Sequence, residues 1–130
     1  MFNLGEKMDV NKAINLSPVV LAFVGDAVYS LYVREKLTFS SDCKTGELNV
    51  RTVSVVKASA QAEYVKKIIE FFNENELSVF KRARNARKNN RAKSASVSEY
   101  NYSSGFEAVL GYLYLIGDVE RLNYLLNKGN

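Results

Sequence analysis

LSPVVLAFVGDAVYSLYV, residues 16–33, reads as a helix that is apolar on every side and carries one carboxylate, Asp26, near its middle. A helix apolar all round is expected in a core. A lone Asp there is costly unless a cation or hydrogen-bond donors compensate it. Ser17 and Pro18 mark the start, because Ser caps a helix and Pro is tolerated at its first position. The helix is expected to reach about Lys36, with Arg34 and Lys36 near the negative end of its dipole.

Working outward, 1–15 offers only a short amphipathic turn, with Met8, Val10 and Ile14 apolar. Thr38 to Lys44 is a polar connector. Helical spacing returns over 45–72 through Leu48, Val55, Val56, Ala58, Ala62, Val65, Ile68, Ile69 and Phe72. The β-branched run TVSVV is a place for that helix to break. Asn73 to Asn75 form a hinge before a short helix, 76–85, with Leu77, Val79 and Phe80 inside. Residues 86–98 carry no apolar period and are expected to be a mobile loop. A second strongly apolar helix starts at Glu99, and Gly117-Asp118 separates it from a closing amphipathic helix over 119–126. No alternating strand pattern of useful length occurs, so the 130 residues are expected to form one all-α helical bundle.

Composition narrows the chemistry. The chain has no His and one Cys, Cys43, which removes the Ser-His triad, the Cys-His pair, a zinc site of the usual kind and any intrachain disulfide. With no leader pattern and no uninterrupted apolar span, a cytoplasmic protein without a membrane segment is expected. The net charge of +4 is concentrated in one place. Lys81, Arg82, Arg84, Arg87, Lys88, Arg91 and Lys93 include no acid between them; without those seven, eleven bases face fourteen acids. A local basic segment suggests a polyanionic partner, held through phosphates with a steep salt dependence. A merely solvated surface is the alternative.

Asp26 and Glu107 are the acids set in the two most apolar helices. Ala22 and Ser30 flank the first at one helical turn; Ser103, Ser104 and Gly111 flank the second. Small neighbours allow the helices to approach and leave a polar pocket. Facing carboxylates in a bundle can hold a divalent cation, and oxygen ligands without His or spare Cys favour magnesium or manganese over zinc. Structural pairing with Tyr hydroxyls or a nearby base is the competing reading. At this level both stand.

The segment Phe23-Val24-Gly25-Asp26-Ala27-Val28 resembles the ribonuclease III signature Glu-Phe-Leu-Gly-Asp-Ala-Val. Phe106 to Leu115, FEAVLGYLYL, is similar to that family's second acidic helix. Both occur in the family's order, with a basic segment before the second. Arg82-Ala83-Arg84-Asn85-Ala86 and the short length resemble the compact branch called Mini-ribonuclease III, which has a catalytic domain but no double-stranded-RNA-binding domain. There are departures: two upstream glutamates of the longer enzymes fall on Val19 and Ala22, and a further Asp on Ser104.

The resemblance implies a ribonuclease III endonuclease-domain-like helical bundle over the whole chain, acting as a homodimeric endoribonuclease on double-stranded RNA. Asp26 and Glu107 would be its catalytic and metal-binding acids, with Mg2+ as cofactor and Mn2+ able to substitute. Lys81, Arg82, Arg84, Asn85, Arg87, Lys88, Arg91 and Lys93 would contact RNA, and Phe23 would insert into the partner subunit. The implied substrate is precursor large-subunit (23S) ribosomal RNA, with a large-subunit ribosomal protein as possible helper. A non-catalytic RNA-binding dimer of the same fold is the alternative that the missing acids favour.

Overall fold

Capping residues and apolar spacing decide where the helices begin. In a computed structural model, residues 6–40, 47–48, 50, 56–86 and 96–129 are described. Their main helices are α1 (Val10–Ile14), α2 (Pro18–Ser40), α3 (Ala58–Ile68), α4 (Glu74–Asn85), α5 (Val97–Leu115) and α6 (Val119–Lys128), with a 3-10 turn at Ile69–Phe71. No strand occurs among the described residues, as the all-α reading expects.

Two starts are set by capping boxes. Asn73 accepts from the Glu76 backbone N–H while the Glu76 carboxylate accepts from the Asn73 N–H. Ser96 and Glu99 make the same exchange, so α5 starts at Val97 instead of Glu99. The Ser-x-x-Glu spacing carries that signal in the sequence. Asp118 caps α6 after Gly117, whose φ of +76° suits a residue without a side chain. Residues 51–55, Cys43 and most of the expected mobile loop lie outside the described residues. Lys57, just after the β-branched run, is the extended N-cap of α3.

Helix α5 is the central rod, packed against α2, α3 and α4. Phe106, Ala108, Val109 and Leu110 are fully buried on it, so its apolar surface is satisfied on nearly all sides. Leu21, Val65, Ile68, Phe80 and Leu125 close around it. Burying each such side chain stabilises the fold by about 1.5–3 kcal/mol.

Helix α2 departs from the sequence reading in two ways. It continues to Ser40 and has no base in its last turn, so Arg34 and Lys36 do not meet its end. It is also not buried all round. Leu21, Gly25, Val28, Tyr29 and Val33 face the core, whereas Val19, Val20, Phe23, Ala27 and Leu31 are exposed, Phe23 by 77%. An evenly apolar helix can serve two different contacts, and the described residues supply only one of them.

The α4–α6 corner is held by a buried ion pair. Glu76, fully buried, accepts from Arg121 at 2.7 and 2.9 Å, and Arg121 also donates to the Phe71 carbonyl at 2.5 Å. The carboxylate thus has the partners that its burial requires.

Candidate active site

The antiparallel crossing of α2 and α5 depends on two glycines. A Cβ at Gly25 would overlap the Glu107 carbonyl, and one at Gly111 would overlap the Leu21 carbonyl. Backbone therefore lies against backbone, which only glycine permits at such a separation. This close approach brings Asp26 and Glu107 together across the crossing, near enough to share a hydrogen bond.

The two acids have different surroundings. Asp26 is exposed, so the expectation of a buried Asp is corrected: it lies next to Gly25 at the solvent-facing rim of the crossing. Glu107 is the acid that bears the desolvation. Burial first, then the hydrogen bond and charge of Asp26, push its pKa up to about 8, against a smaller opposing pull from Gln61. Near neutral pH Glu107 is therefore largely protonated when no cation is bound.

Gln61 is the site residue that the sequence reading does not single out. It is 1% exposed on α3. Its Nε2 donates to the Val56 carbonyl at 2.7 Å and to Glu107 Oε2 at 3.4 Å, and its Oε1 accepts from the Ser103 hydroxyl at 2.7 Å. A polar residue at a core position of the α3 pattern is the signal that could have found it. Ser103 is thereby committed to Gln61, and Ser104 is buried; Ser30 is half-buried on α2.

Two hard oxygen ligands with a solvent-facing side suit magnesium or manganese, which retain several waters. A cation between the two carboxyl groups would offset the repulsion from Asp26 that helps to raise the Glu107 pKa. No group of three or more acidic, His or Cys ligands forms among the described residues. The donor set fits a cation bound through two carboxylates, not a closed protein cage.

The basic segment divides. Lys81 and Asn85 are exposed at the end of α4. Arg84 lies over the Phe80 ring at 5.7 Å and donates to Asn85. Arg84 and Asn85 line a shallow hollow with Val97, Ser98, Asn101 and Tyr102, where α4 meets the start of α5. Arg82 points elsewhere: its guanidinium donates to the Ile14 and Leu16 carbonyls, tying α4 to the α1–α2 connection. Arg87, Lys88, Arg91 and Lys93 lie outside the described residues. No described helix is long and apolar enough to cross a membrane.

The chain is similar to known proteins over most of its length. The Ribonuclease III domain model matches residues 19–118. The chain is 49% identical over 113 residues to Mini-ribonuclease 3 of Thermoanaerobacter sp. (strain X514), covering 87% of this chain and 80% of that protein. It is 40% identical to Mini-ribonuclease 3 of Clostridium tetani, covering 95% and 82%. A crystal structure of a Fusobacterium nucleatum protein superposes with a TM-score of 0.78 at 31% identity, covering 87% of this chain and 90% of that one.

Proposed function

The chain belongs to the ribonuclease III family and is an endoribonuclease, and on that footing we propose that it cuts double-stranded RNA with magnesium held by Asp26 and Glu107. The observation that carries this reading is the carboxyl pair that the close α2–α5 crossing brings together, Asp26 exposed and Glu107 pushed above the ordinary carboxylate range by burial and by Asp26.

Bound magnesium, or manganese in its place, would supply charge neutralisation at the scissile phosphate and polarisation of the attacking water. To hold the cation Glu107 would have to be deprotonated, which would couple cation affinity to pH. Asp26, open to solvent, offers its oxygens from the side an RNA backbone can approach. Lys81, Arg84 and Asn85, continued by Arg87, Lys88, Arg91 and Lys93, grip phosphates by charge and shape, as duplex RNA requires.

The exposed apolar face of α2 is the proposed homodimer contact, with Phe23 at its centre. Val19, Val20, Phe23 and Leu31 are each at least 40% exposed, and a contiguous apolar face of this kind commonly marks a protein interface. The natural substrate of this reading is precursor large-subunit ribosomal RNA in the cytoplasm, with a large-subunit ribosomal protein as helper; this rests on the likeness to the compact branch.

The test is cleavage of a perfect RNA duplex against the same strands kept single, each with magnesium or with EDTA. Cutting of the duplex only, and only with magnesium, supports the reading. Equal cutting of single strands, or cutting in EDTA, overturns it.

A further inference from the structure

We propose that Gln61 is the positioning residue for Glu107, fixing the direction in which that carboxylate meets Asp26 and the cation. The proposal rests on the reading of Asp26 and Glu107 as cation ligands.

The amide has one possible orientation. The Val56 carbonyl can only accept, so the Gln61 end 2.7 Å from it must be the NH2 group. The other end is then the carbonyl, which accepts from the Ser103 hydroxyl at 2.7 Å. With both ends anchored, the second N–H is left aimed at Glu107 Oε2. At 3.4 Å that contact is at the long end of hydrogen bonding; it directs the carboxylate more than it binds it.

The elements involved make the arrangement rigid. Gln61 sits on α3, and Ser103 lies on α5 one turn before Glu107. Both are buried, at 1% and 5% exposure. The Val56 carbonyl precedes α3 and fixes the amide from the other side. An amide in a core is costly unless its polar atoms find partners. Here every polar atom of the amide is used, and the remaining donor faces the acid. Groups that orient a ligand in this way typically alter metal affinity by about 10–100-fold when removed.

The experiment titrates manganese alone into the purified chain, following free Mn2+ by its paramagnetic resonance signal, with thermal unfolding measured on each variant. Wild type is compared with Gln61→Leu, Ser103→Ala and Glu107→Gln. Manganese affinity about 10-fold weaker in Gln61→Leu, with a smaller loss in Ser103→Ala, supports the proposal. Unchanged affinity in both, while Glu107→Gln loses the ion, overturns it and leaves the cation reading intact. Equal binding by wild type and Glu107→Gln overturns the cation reading and the proposal with it. If Gln61→Leu does not fold, Ser103→Ala decides, since it keeps every side chain except one hydroxyl: weakened binding supports the positioning role and unchanged binding overturns it.

Discussion

The Gly25 Cα faces the Glu107 carbonyl so closely that no Cβ fits between them. That approach sets the distance between α2 and α5 and hence between Asp26 and Glu107. Helix propensity alone would make Gly25→Ala stabilising by roughly 1 kcal/mol. The overlap should outweigh it, because forcing extra carbon into a packed interface costs about 1–3 kcal/mol or more. Gly25→Ala and Gly111→Ala should each lower the unfolding midpoint and weaken cleavage, as thermal denaturation and a duplex-cutting assay would register. A stabilised Gly25→Ala would mean that the helices are not held this closely.

Glu107 gives the stability of the cation-free protein a definite pH dependence. Its folded pKa of about 8 exceeds the ordinary 4.5, so the folded state binds more protons between those values. Stability from this group is fully present below about 4.5, falls as pH rises, and levels off above about 8. The steepest slope is roughly 1.4 kcal/mol per pH unit. Denaturant unfolding in EDTA should show this decline in wild type and lack it in Glu107→Gln. Parallel curves for the two proteins would contradict the raised pKa.

Lys81 and Arg84 should separate from Arg82. Replacing Lys81 and Arg84 by Ala should weaken duplex-RNA binding and reduce the salt slope by about one for each phosphate that is no longer neutralised, without lowering stability appreciably. Arg82→Ala removes donors to the Ile14 and Leu16 carbonyls, and should cost about 1 kcal/mol of stability with a smaller effect on the slope. Salt-dependent binding and thermal unfolding of the variants distinguish the two roles; the opposite division would reassign Arg82 to RNA.

Phe23 is 77% exposed, so Phe23→Glu should leave the fold of each subunit intact. Sedimentation velocity should show a dimer for wild type and a monomer for the variant. A wild-type monomer, or a variant that remains dimeric, would remove the α2 face as the interface.

Much of this is legible in the sequence because helix signals are local. The Pro18 start, the Gly117-Asp118 break and the Leu122, Leu125 and Leu126 face lie where spacing and capping rules put them. The start of α5 is misplaced by apolar pattern alone because Ser96 and Glu99 act as a pair, and Glu99 by itself resembles a first residue. Asp26 looks buried in the sequence because an evenly apolar helix does not reveal which face the chain itself covers. Gln61 carries a tertiary meaning: only folding brings Val56, Ser103 and Glu107 around its amide. The pairing of Asp26 with Glu107 is readable because both acids stand out against apolar helices.

The most direct test of the central claim is magnesium-dependent cleavage of duplex RNA by Asp26→Asn and Glu107→Gln, with RNA binding measured on the same preparations. Both variants should fold, bind the duplex and leave it uncut, with rates reduced by at least about 100-fold, as expected when a group central to transition-state charge is removed. Wild-type cleavage by either variant would contradict the assignment of Asp26 and Glu107 as the catalytic pair.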